Sequence, residues 1–246
     1  MPEFTIIPLK MNIITRNIPN AITCMNVACG TIAVIMAFAD TGFAGLHPWQ
    51  WAWIFIGLAA VADFFDGFAA RALHAYSEMG KELDSLCDLV SFGVAPAMVL
   101  YNCLTSLSPL GASCWVSWLC ILIPVAGALR LARFNIDTRQ TTSFIGLPIP
   151  ANAIFWIGYT ALAYSGASFL LSPFVAAAFI IVVAWLLNSP LRIFSLKFKT
   201  WGWSGNEARW LLIISAPVFL FLCGVPGLFW LIVFYLLLSL LPFSRK

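Results

Sequence analysis

Eight predominantly apolar runs, near 18–39, 50–70, 83–104, 112–133, 147–165, 170–190, 208–223 and 225–242, alternate with short polar or Pro/Gly-containing breaks. Each is close to the roughly 20 residues that a helix needs to cross a bilayer core. The pattern predicts an all-α, polytopic transmembrane helix bundle of about eight helices. Gly224 and Pro226 leave only a very short turn between the last two. One stretch departs from the pattern. From Asp63 to Asp88, 26 positions joining two strongly apolar runs hold eight of the chain's 23 Asp, Glu, Lys and Arg residues.

Composition strengthens the membrane reading. The chain is 62% hydrophobic and only 9% charged, with 21 Phe and 11 Trp, which lies outside the range of soluble globular domains. With the eight runs as spans, all thirteen Lys and Arg residues fall on one side: Lys10, Arg16, Arg71, Lys81, Arg130, Arg133, Arg139, Arg192, Lys197, Lys199, Arg209, Arg245 and Lys246. The opposite loops hold none. Cations collect on the cytoplasmic side, so the pattern places both termini there, in the cell (inner) membrane. The net charge of +3 is then topology aided by attraction to anionic headgroups, and no nucleic-acid partner is expected.

Within the charged stretch, Asp63, Asp66, Gly67, Ala70 and Arg71 follow helical 3/4 spacing and share one face. Gly80, Asp84 and Asp88 do the same on the next helix. A turn between them makes the helices antiparallel, which brings four carboxylates to one membrane depth and into one small volume. Such a cluster repels itself unless cations sit among the oxygens. An all-oxygen set without a Cys/His partner suits Mg²⁺ or Mn²⁺ and disfavours zinc. Four aspartates could hold two ions, the arrangement used for displacement at phosphorus. Gly67 and Gly80 leave room for a nucleotide against the backbone, and Arg71 is placed to meet a phosphate. The competing reading is that these are helix-end carboxylates solvating a loop. Ionisable groups at membrane depth weigh against it.

Asp63-x2-Asp66-Gly67-x2-Ala70-Arg71-x8-Gly80-x3-Asp84-x3-Asp88 resembles the complete signature of the CDP-alcohol phosphatidyltransferase family. The resemblance covers about residues 15–190 and implies a six-helix catalytic core at 18–190. In that frame 1–246 is one membrane domain, with 1–17 an interfacial segment and 191–246 a cytoplasmic loop plus two additional helices. It implies Asp63, Asp66, Asp84 and Asp88 at the metal site, with Asp88 the catalytic base. CDP contacts are expected from Asn20, Thr23, Asp63, Gly67, Ala70, Arg71 and Gly80. Ser91-Phe92-Gly93-Val94-Ala95-Pro96, together with Arg130-Leu131-Ala132-Arg133-Phe134-Asn135 and Gly146-Leu147-Pro148-Ile149-Pro150-Ala151-Asn152-Ala153, is similar to the serine-using branch of the family. The implied reaction joins CDP-diacylglycerol and L-serine and releases CMP, and a homodimer is the expected assembly.

Several residues keep a plainer reading beside the functional one. Pro19, Asn20, Thr23 and Asn26 are ordinary residues for a helix start, although their depth matches that of the aspartates. Gly93 suits close helix approach, and Pro96 frees a backbone carbonyl. Arg130 and Arg133 fit either snorkelling to headgroups or binding the carboxylate or phosphate of a substrate. Glycerol 3-phosphate or inositol are alternative acceptors, and a cation-coupled transporter is the alternative outside the family. Seven cysteines without ligand spacing read as small apolar helix residues, and neither His47 nor His74 has a partner at metal or triad spacing. A cleaved signal peptide is not expected, because the first run continues to Phe38 without an A-x-A-like exit.

Overall fold

A computed structural model describes residues 13–108, 115–137, 143–196, 202–203 and 205–241. The interfacial segment expected before residue 13, Cys114, and the cations Lys10, Arg139, Lys197, Lys199, Arg245 and Lys246 lie outside the described residues. Among those described, eight helical rods follow in order: α1 Ile13–Ala37, α2 Pro48–Ala72, α3 Glu78–Leu107, α4 Trp115–Ile136, α5 Ile149–Tyr164, α6 Pro173–Asn188, α7 Glu207–Cys223 and α8 Gly227–Leu240. The first four are long and apolar enough to cross a membrane. The last four have 16, 16, 17 and 14 residues, short of the roughly 20 that spanning needs. The apolar runs overestimated them by including turn residues. Residues 147 and 148, for example, precede α5, and the 3₁₀ turn Ser168–Leu171 precedes α6.

The packing centre is α5, where 12 of 16 residues are buried. A helix apolar on every side belongs inside a bundle. One face of α5 carries Phe155, Trp156 and Tyr159 into a cluster with Leu100 and Leu104 of α3, Ile123 of α4, Ile180 of α6 and Phe229 of α8. Its other face carries Ala153, Ile157 and Ala161 against Ala52, Trp53 and Ile56 of α2 and Phe92 of α3. The buried indole of Trp53 donates to the Thr160 hydroxyl at 3.1 Å, which ties α2 to this pillar.

The C-terminal helices belong to the same core. A Cβ on Gly158 of α5 would lie 2.7 Å from the Phe229 Cα of α8, so only a bare backbone lets these helices meet. Phe229, Ile232, Tyr235 and Leu238 are all buried there.

One element was absent from the sequence reading. Ser143–Ile145 (β1) and Arg192–Phe194 (β2) pair antiparallel, with Phe144 opposite Ile193. This short ribbon joins the segments following α4 and α6. Gly146, at φ 79°, then turns the chain towards α5. The Tyr235 hydroxyl of α8 donates to the Phe194 carbonyl at 2.7 Å and clamps β2 from below.

Candidate active site

Local sequence sets the hairpin that carries the carboxylates. The Ser77 hydroxyl caps α3 by accepting from the Gly80 N–H at 3.0 Å. Residues 73–77 turn the chain, with His74 in the left-handed region at φ 51°. Asp63 and Asp66 therefore come down the end of α2 while Asp84 and Asp88 go up the start of α3.

The predicted convergence is present. Asp63, Asp66 and Asp84 each offer a carboxylate oxygen, all within 4.8 Å of one another. With an effective dielectric near 20, each pair of full charges at that spacing repels by roughly 3 kcal/mol. Asp66 is buried, and its Oδ2 has no hydrogen-bond partner. An unpaired buried acceptor among acceptor-only groups fits a hard cation, so these three residues suit Mg²⁺ or Mn²⁺.

Asp88 stands outside that mutually close set. It is buried beside Asp63, and its Oδ1 accepts from the Asn26 side-chain amide of α1 at 3.2 Å. Asn26 is fully buried, and the Ser91 hydroxyl of α3 donates to its backbone carbonyl at 3.0 Å. From the sequence, Asn26 reads as a helix-start residue at the depth of the aspartates, with no partner named for it. That depth was the signal available.

Immediately beyond Asp88, α3 widens into a π-helical segment, Leu89–Val94. Such widened turns are frequent at functional sites. Phe92 lies four residues before Pro96, which has no N–H to offer it. The Asn152 amide of α5 donates to the Phe92 carbonyl at 2.8 Å, and the Trp156 indole donates to Asn152 Oδ1 at 2.9 Å. The expectation that Pro96 frees a carbonyl is met, and the residue that takes it comes from the GLPIPANA segment.

The residues expected to hold CDP surround the cluster. Thr23 is buried, donates to the Pro19 carbonyl at 3.0 Å and also interacts with Asp66. A Cβ on Gly80 would sit 3.1 Å from Asn20 Oδ1 and 3.0 Å from Ser77 Oγ, so α1 and α3 meet closely at this point. Gly67 is different. The nearest atom to a Cβ there would be the Arg71 guanidinium at 3.5 Å, which leaves the backbone open on that side. Arg71 is exposed and interacts with Asp66, and Ala70 lies half-buried between them in sequence.

The two arginines of α4 share a cavity of ≈ 490 Å³ with Phe134, Asp137, Asn188 and Ser189. Arg133 is exposed. Arg130 is only 8% exposed, which excludes free snorkelling to headgroups. Its Nε has no partner, its guanidinium lies 5.8 Å from the Phe134 ring centre, and it interacts with Asp88. Lys81 Nζ donates to the Asn135 carbonyl at 2.9 Å, and Asn135 Nδ2 donates to Ser85 Oγ at 2.9 Å. These bonds hold the end of α4 level with the start of α3.

A carboxylate cluster at one end of a membrane helix bundle, ringed by phosphate-binding residue types, defines a class of membrane-embedded transferase acting on phosphorus. Residues 16–196 match the CDP-alcohol phosphatidyltransferase family, and the chain belongs to that family. It is 42% identical over 134 residues to CDP-diacylglycerol--serine O-phosphatidyltransferase of Bacillus subtilis, covering 54% of this chain and 69% of that protein. The Mycobacterium leprae protein of the same name is 41% identical over 152 residues, covering 59% of this chain and 47% of the relative. The chain thus spans about half the length of that relative. The Methanocaldococcus jannaschii protein, also of that name, is 32% identical over 216 residues, covering 87% of this chain and 92% of its own length.

Proposed function

We infer that this chain transfers the phosphatidyl group of CDP-diacylglycerol to L-serine, giving phosphatidylserine and CMP. The observation that carries the reading is the approach of Asp63, Asp66 and Asp84 to within 4.8 Å in the family's own spacing. The names of the relatives supply the acceptor.

In this reading Asp63, Asp66 and Asp84 hold Mg²⁺ or Mn²⁺, and with Asp88 beside them the four carboxylates suggest two ions. The bound cations supply charge neutralisation for the pyrophosphate and for the CMP that leaves. The remaining chemistry belongs to the side chains. Asp88 takes the serine hydroxyl proton as the serine oxygen bonds to the diacylglycerol-side phosphorus and the phosphorus–oxygen bond to CMP breaks. Arg71, with Asn20, Thr23, Gly67, Ala70 and Gly80, receives the cytidine diphosphate. Arg130 and Arg133 receive the serine carboxylate in the cavity they line. Arg130 interacts with Asp88 as well, which suits a residue that brings the acceptor to its base.

The same reading places the site and both termini on the cytoplasmic face of the cell (inner) membrane, where soluble serine and CMP exchange with the cell while the acyl chains stay in the bilayer. It is supported by Arg71 at the end of α2, Lys81 at the start of α3 and Arg130 at the end of α4, all at one end of the bundle. The homodimer expected from the family resemblance is part of it. CMP release from CDP-diacylglycerol in detergent, with L-serine, glycerol 3-phosphate and inositol offered in turn, tests the acceptor. Serine should be fastest. Faster release with another alcohol overturns the serine assignment, and no release with any of them overturns phosphatidyl transfer.

A further inference from the structure

The hydrogen bond to Asp88 belongs to a strut whose parts all come from outside the aspartate pattern. Asn26 Nδ2 donates to one oxygen of Asp88, whose carboxyl group also makes a hydrogen-bond contact with that of Asp63. The position of Asn26 is in turn fixed through its backbone, where Ser91 Oγ donates to its carbonyl. Ser91 is able to reach because residue 30 is glycine, where a Cβ would lie 2.7 Å from the Ser91 Cα. Asn26, Gly30 and Ser91 are buried, so water does not compete for these bonds. On the opposite side of the π-helical segment, Asn152 holds the Phe92 carbonyl. The widened turn is therefore gripped from α1 and from α5, and Asp88 sits one residue before it.

We propose that Asn26 is a positioning residue for Asp88, orienting its carboxylate towards the acceptor hydroxyl, with Ser91 setting Asn26. This rests on the reading of Asp88 as the base. A neutral amide donor suits the task. It fixes one oxygen without adding a charge to the carboxylate cluster, and its effect falls on proton transfer and not on substrate binding.

The test uses the full chain in detergent with CDP-diacylglycerol, Mn²⁺ and L-serine. Asn26→Ala should lower kcat by roughly tenfold to a hundredfold, the cost of a small misplacement of a reacting group. The KM values for both substrates and the stoichiometry of bound Mn²⁺ should stay near those of the unaltered chain. The solvent deuterium isotope effect on kcat should increase, because proton transfer has become slower relative to the other steps. Asn26→Asp, which keeps the shape but turns an acceptor towards Asp88, should lose at least as much. Ser91→Ala removes a single oxygen, and should lower kcat severalfold with the same KM pattern.

Wild-type kcat in Asn26→Ala and Asn26→Asp overturns the proposal. So does a loss that appears as raised KM for both substrates with no change in isotope effect, which marks a structural role. Asp88→Asn separates the two readings. If it is inactive while the Asn26 variants are normal, only the positioning role fails. If it retains activity, the base assignment fails and the positioning role with it.

Discussion

The side-chain amide of Asn152 on α5 donates at 2.8 Å to the backbone carbonyl of Phe92 on α3. Both residues are fully buried, and the Trp156 indole completes the chain of bonds by donating to Asn152. Replacing Asn152 with Leu strands the Phe92 carbonyl and the Trp156 N–H in an apolar core. The expected cost is roughly 1–3 kcal/mol for a buried group left unpaired, read as a lowered midpoint of denaturation in detergent. Because the Phe92 turn follows Asp88 so closely, the residual folded protein should also be slower.

The carboxylates differ from this scaffold in what they do when removed. Asp63→Asn, Asp66→Asn and Asp84→Asn should each leave a folded protein, since they relieve mutual repulsion. Mn²⁺ affinity should drop by more than the roughly 10- to 100-fold typical of losing a group that merely orients a ligand, and activity should vanish with it. Equilibrium Mn²⁺ binding beside CMP release checks this. EDTA should stop the unaltered chain, and added Mg²⁺ or Mn²⁺ should restore it.

Arg130 and Arg133 should separate in kinetics although they stand three positions apart. Arg133 is exposed at the cavity, so Arg133→Ala should raise the KM for serine by roughly tenfold with little change in kcat, the signature of lost ground-state binding. Arg130 is buried and interacts electrostatically with Asp88. Arg130→Ala should raise that KM and lower kcat as well. Steady-state kinetics with serine as the varied substrate distinguishes the two patterns.

Gly158→Leu tests whether the last helix belongs to the core. The new side chain would drive into the Phe229 backbone. Overpacking of this kind costs roughly 1–3 kcal/mol or more. The expected result is a destabilised protein in which α8, and with it the Tyr235 clamp on β2, is displaced, read as faster proteolysis of the C-terminal segment.

Orientation can be checked independently of chemistry. In a cysteine-free background, His74→Cys on the α2–α3 turn should react with an impermeant thiol reagent only from the cytoplasmic side. Thr41→Cys, on the opposite loop, should react only from outside. Both positions are exposed. The reverse pattern would separate the aspartates from cytoplasmic serine.

What the sequence disclosed and what it withheld have a common physical cause. Asp63, Asp66, Asp84 and Asp88 were legible because charge in a chain that is 62% apolar stands out, and helical spacing then fixes which residues share a face. Eight helices were legible from apolar runs for the same reason. Asn26 and Asn152 were not, because a buried amide is defined by its partner, and those partners lie 62 and 60 residues away. The strands Ser143–Ile145 and Arg192–Phe194 are three residues each, too short to show a period of two. The place of α8 in the core depends on Gly158 lacking a side chain, and no pattern within residues 225–242 carries that information.

The central claim is that serine becomes part of a lipid at the expense of CDP-diacylglycerol. Purified chain in detergent with Mn²⁺, CDP-diacylglycerol and carbon-labelled L-serine should move the label into the organic phase as phosphatidylserine, one equivalent for each CMP released. Omitting CDP-diacylglycerol or substituting Asp88→Asn should abolish this. Label that remains in water while CMP appears would contradict serine as the acceptor, and neither product forming would contradict the whole account.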